Sequence, residues 1–110
     1  MPRVAHVPII SGMNDSDSMR AVVTDGQGGP EVLSVRSVPK PVPQAGEVRV
    51  RVATSGVNRA DLLQRMGKYP VPDGWPKDIL GMEFAGVVET LGPDAERWQV
   101  GDPVMGILGG

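Results

Sequence analysis

The sequence predicts a small, mainly β domain, about six short strands in a barrel-like arrangement with one short helix. Three observations predict it. Fifteen glycines and eleven prolines in 110 residues argue against a helical bundle and for short strands joined by many turns. Val48, Val50 and Val52 alternate strictly with Arg49 and Arg51, the period of a strand with one face in the core. Only one stretch, 58–67, carries the caps and apolar spacing of a helix.

The length fits one domain with a modest core. A formal charge of −2 gives no electrostatic reason to expect nucleic acid or an anionic membrane as partner. No apolar run approaches the roughly 20 residues of a membrane span. The absence of cysteine excludes disulfides and thiolate zinc sites and agrees with a cytoplasmic location.

Residues 1–18 read unlike the rest. Pro8 interrupts a short apolar patch and acids follow, which does not make a secretion signal. A disordered extension is expected, with His6 inert within it. Met19 looks like the natural start of the domain, and Arg20 to Thr24 reads as the first strand.

The glycine cluster 26–29, ending at Pro30, reads as a turn. It lacks the Lys-Ser/Thr of a phosphate loop and the GxGxxG spacing before a helix. Val32 to Val38 reads as a half-buried strand. The prolines at 39, 41 and 43 make the next segment an extended connector. The valine strand 48–53 follows, with both arginines on a solvated face.

In 58–67, Asn58 is the N-cap, Asp61 stands in the first turn, and Gly67 is the stop. Leu62, Leu63 and Met66 form the expected buried stripe. The loop 68–78 holds three prolines and two aromatics, Tyr69 and Trp75. Trp75 is expected to cap the core, and Tyr69 either caps the core or serves a site.

Residues 81–106 read as two short buried strands around an acidic loop, with Phe84–Val88 in the core. Glu83 reads as a partly buried acid, with a structural hydrogen bond or ion pair favoured over catalysis. No serine–histidine pair, cysteine nucleophile or spaced acid pair is visible in the domain. Residues 109–110 end the sequence directly after a strand, as a fragment would.

At 56–70 (GVNRADLLQRMGKYP), 81–92 (GMEFAGVVETLG) and 100–107 (VGDPVMGI), the chain resembles the medium-chain dehydrogenase/reductase superfamily. The resemblance covers 19–110 and is to the N-terminal, GroES-like domain. It implies a partly open barrel of short strands with one short helix, truncated at its C-terminal end. The nearest branch is the zinc-free NADPH:quinone oxidoreductases, including the p53-inducible quinone oxidoreductase group. Zinc alcohol dehydrogenases of the superfamily place a cysteine where this chain has Asn58 and a histidine where it has Met82. Neither substitute is a good zinc ligand, so no zinc is expected and Met82 is assigned to packing.

What the resemblance implies is hydride transfer from NADPH to a quinone or enone. It places Asn58 at the nicotinamide and at the substrate, and Tyr69 at the substrate cleft. Both would supply hydrogen-bond donors to substrate oxygens, and no catalytic acid or base is assigned. The Rossmann domain that binds most of the cofactor lies outside these 110 residues, so the chain alone is expected to be inactive. The parent protein is expected to be a homodimer. The alternative is a free-standing GroES-like module that binds a partner or oligomerises, or a non-functional fragment.

Overall fold

The computed structural model describes residues 3–4 and 17–110. The expected disordered extension lies mostly outside the described residues, as does His6. The elements in order are β1 (Arg3–Val4), β2 (Ser18–Thr24), a 3₁₀ turn (Pro30–Val32), β3 (Leu33–Pro39), β4 (Glu47–Ser55), α1 (Arg59–Arg65), β5 (Glu83–Leu91) and β6 (Pro103–Ile107). The fold is mainly β, as the sequence predicts.

The strands form two sheets. The larger has the order β1-β4-β5-β6, and the smaller is the antiparallel hairpin β2-β3. Within the larger sheet, β1 runs parallel to β4 while the β4–β5 and β5–β6 pairs are antiparallel. An isolated bridge, Val23 to Ile79, ties the hairpin strand to the segment before β5. The barrel is therefore open between the sheets.

β4 behaves as its alternation requires. Val48, Val50 and Val52 are buried and cluster with Phe84, Val88, Ala95 and Leu108. Trp75, Met82, Trp98 and Val104 pack against this cluster, so Trp75 does cap the core and Met82 is a packing residue. The β4–β5 register slips at Arg49/Val50 and again at Val52/Thr54. Such bulges sharpen twist and curl a sheet. Gly86 sits where β5 crosses close to β4, and a Cβ there would strike the Arg51 carbonyl.

Four expectations need correction. The second strand of 81–106 is not buried: β6 is an edge strand, with Met105 84% and Ile107 78% exposed. Val32 belongs to the 3₁₀ turn, and β3 starts one residue later, because Pro30 fixes the turn at its first position. Arg49 is not simply solvated: its guanidinium donates to Glu89 at 2.7 Å, to the Pro41 carbonyl at 3.1 Å and to Thr90 at 3.1 Å. Helix α1 does not bury Leu62, which is 42% exposed; its buried residues are Asp61 and Gln64. The reason is hydrogen bonding. α1 lies against the segment 77–79, whose Lys77 and Ile79 carbonyls take the Gln64 amide N–H groups at 3.2 and 3.4 Å. An amide supplies two donors there and a leucine supplies none.

Candidate functional site

Asn58 is placed by the end of β4 and the start of α1. Its backbone is extended, as an N-cap requires. The Asp61 carboxylate accepts the Asn58 N–H at 2.8 Å, and the Asp61 N–H meets the Asn58 carbonyl at 3.0 Å. The two residues form the reciprocal capping box. The hydrogen bonds that close it run from the Asn58 N–H to the Asp61 carboxylate and from the Asp61 N–H to the Asn58 backbone carbonyl, and the Asn58 carboxamide carries an NH2 donor. Asn58 itself is half-buried.

Asp61 is 4% exposed, and only one of its oxygens is used. Its Oδ1 is buried without a hydrogen-bond partner among the described residues. The carboxylate therefore fixes the turn that presents Asn58 while keeping unsatisfied acceptor capacity.

Tyr69 stands on the far side of α1, whose seven residues span roughly 10 Å. Its hydroxyl donates to the Gly109 carbonyl at 3.2 Å. Trp75 lies against the same residue, where a Cβ would come within 2.7 Å of the indole nitrogen. The aromatics of the 68–78 loop thus clasp the segment that follows β6. The Tyr69 proton is committed to Gly109, so the hydroxyl keeps its lone pairs rather than the free donor the sequence led one to expect. Asn58 and Tyr69 occupy opposite ends of one helix and do not make a single cluster.

The glycine turn is occupied by the protein itself. The Gly28 N–H donates to the Arg65 carbonyl at 3.1 Å, and Arg65 Nε donates back to the Gly28 carbonyl at 3.0 Å. The Gly29 N–H donates to Glu31 Oε1 at 3.0 Å. These bonds hold the turn to the C-terminal end of α1.

Glu83 departs from its expected structural role. Among the described residues its carboxylate makes no hydrogen bond and no ion pair. It lies across Gly56, and a Cβ on residue 56 would overlap the carboxylate. Sequence reasoning saw the acid but not its position beside the Asn58 turn. The two glycine-flanked segments are distant in sequence and meet only through the β4–β5 register. Among the described residues no group of three or more histidine, cysteine or acidic side chains is placed to hold a metal ion, and no helix is long and apolar enough to cross a membrane.

Comparison with known proteins accounts for this arrangement. Residues 44–108 match the alcohol dehydrogenase GroES-like domain. The chain is 38% identical over 96 residues to the mouse (Mus musculus) synaptic vesicle membrane protein VAT-1 homolog-like, covering 87% of this chain and 23% of that protein. It is 47% identical over 77 residues to a quinone oxidoreductase of Pseudomonas aeruginosa, covering 70% of this chain and 23% of that protein. Among solved structures, the quinone oxidoreductase from Coxiella burnetii superposes with a TM-score of 0.73 at 32% identity, covering 82% of this chain and 29% of that one. The chain thus spans about a quarter of the length of the curated relatives it matches. The match over 44–108, with the strand order and the Asn58-capped helix, shows that the chain belongs to the alcohol dehydrogenase GroES-like domain family, the N-terminal domain of the medium-chain dehydrogenase/reductase superfamily.

Proposed function

We propose that this domain is the substrate-side half of an NAD(P)H-dependent oxidoreductase that transfers hydride to a quinone or a similar conjugated carbonyl, without zinc. The observation that carries this reading is the chemistry of Asn58 and Met82. By the resemblance of the segments that carry them, they correspond to a cysteine and a histidine of the superfamily's zinc enzymes, and neither is a good zinc ligand. The likeness to quinone oxidoreductases supports the acceptor class. A cysteine-free chain suits a cytoplasmic enzyme.

The residues present fit the nicotinamide end of such a cofactor. The Asn58 NH2 group, on a half-buried side chain at the helix N-cap, is a donor suited to a carbonyl oxygen. A bound dinucleotide would supply the hydride. Asn58 would orient the nicotinamide or the acceptor, and Tyr69 would wall the cleft with its ring. An acceptor of this kind needs a flat apolar slot and oriented hydrogen bonds more than a strong base. The remainder of the cofactor site and the homodimer contact would belong to a Rossmann domain.

The exposure of Met105 and Ile107 favours one second reading, a GroES-like module that binds a partner without catalysis. One assay separates the two. A polypeptide of reductase length carrying this domain should oxidise NADPH when a quinone or enone is supplied, with no metal at stoichiometric level. No NADPH oxidation with any of these acceptors would sink the enzyme reading. Stoichiometric zinc in the active protein would sink the metal-free part.

A further inference from the structure

Glu83 opens β5 on the outer face of the larger sheet. Ser55 pairs with Phe84, so Gly56 and Glu83 meet one step further along the same ladder. With no side chain at Gly56, the carboxylate lies over bare backbone two residues from Asn58. Its cross-strand partner on the other side is Ile107, which is 78% exposed. Val57, between Gly56 and Asn58, is also 78% exposed. Arg59, the nearest cation along the chain, is exposed and bonds to neither acid among the described residues.

A half-buried carboxylate without a partner, set among apolar side chains, is unfavourable by itself. Asp61 adds a second negative charge on the other side of the same turn, with its Oδ1 unpartnered. Negative charge beside exposed apolar surface suits a ligand that joins positive charge to an apolar body, as a cationic flat ring does. Metal chelation is not offered, because no set of three ligating side chains converges among the described residues.

We propose that Glu83 is a charge-stabilising residue for the nicotinamide ring, selecting its oxidised, cationic form. This rests on the reading that Asn58 meets the nicotinamide. In hydride transfer to a quinone, the C4–H bond of the dihydronicotinamide breaks and both electrons leave with the hydrogen. The neutral ring becomes a cation. The quinone gains that hydride and one proton from solvent and becomes the hydroquinone. A fixed carboxylate beside the ring stabilises the charge as it develops, so it lowers the barrier rather than merely tightening ground-state binding.

The test uses a polypeptide of reductase length carrying this domain, with the mononucleotide end of the cofactor as the probe. Oxidised and reduced nicotinamide mononucleotide carry the same phosphate and differ in the charge of the ring. Amide NMR shifts at Gly56, Asn58 and Glu83 report binding of each. The oxidised form should bind about fivefold more tightly than the reduced form, and the ratio should shrink as salt is added. Glu83→Gln should bring the ratio down toward one and leave the affinity for the reduced form unchanged. Asn58→Ala should weaken both forms. Equal affinities in the unmodified protein, or a preference that survives Glu83→Gln undiminished, would overturn the role of Glu83 and leave the Asn58 reading in place. Binding of neither form up to the solubility limit of the ligand would overturn both.

Discussion

The Glu31 carboxylate closes the glycine turn by accepting the Gly29 N–H at 3.0 Å. Hydrogen bonds from its own N–H and from that of Gly29 hold its pKa below the ordinary 4.5, with Arg65 adding a smaller effect in the same direction. A carboxylate with a depressed folded-state pKa contributes stability above its unfolded value and loses it as pH falls through the folded value. The window therefore lies at and below the ordinary carboxylate range. Because Glu31 is fully exposed, solvent screens the effect and it is small. Glu31→Gln should flatten the acid limb of the stability curve and leave the neutral plateau little changed. Urea titrations at several pH values would show this, and an unchanged acid limb in the variant would contradict it. The same carboxylate explains why the glycine cluster is a turn and not an anion cradle: its ligand is already part of the chain.

Among the elements, the β4–β5 pair contributes most of the core cluster, and its outer face is held by one ion pair. Arg49 Nε and Glu89 Oε1 lie 2.7 Å apart with their side chains 23% and 22% exposed. Arg51 approaches Glu89 only to 3.7 Å and is 73% exposed, so it adds little. Glu89→Ala should destabilise the domain by about 1–3 kcal/mol, because it strands a half-buried guanidinium that still bonds Pro41 and Thr90. Arg51→Ala should cost well under about 1 kcal/mol. Equal losses in the two variants, measured by chemical denaturation, would refute the assignment. The valine alternation made this strand legible in the sequence, but not the engagement of Arg49, whose partners lie on another strand and in the proline connector. The helix divides in the same way. Its N-cap and first-turn acid were legible because capping is local. Its buried face was not, because Gln64 is called inward by carbonyls at 77–79 that only the tertiary fold delivers.

At the scale of the molecule, the glycine and proline punctuation and the strand periods foretold a mainly β domain, since both are local properties. The division into a four-stranded sheet and a separate hairpin was not legible, because it depends on which strands pair. The candidate site was legible in the same proportion. Asn58 could be placed by its cap, whereas the contact of Glu83 with Gly56 needs a register shifted by two irregularities. The outer face of β5–β6 remains the least protein-like surface. β6 is an edge strand without a charged residue; its Met105 is 84% exposed and Ile107 78%, beside Val87. An uncharged, apolar sheet edge favours association with another surface. Met105→Lys combined with Ile107→Thr keeps strand preference at 107 and adds a charge at the edge. Because neither side chain is in the core, unfolding stability should stay within about 0.5 kcal/mol per site. Self-association of the isolated chain, followed by light scattering as concentration rises, should fall. A variant that associates as the parent chain does would show that the apolar edge is not the adhesive surface, and a large loss of stability would show that these side chains are packed after all.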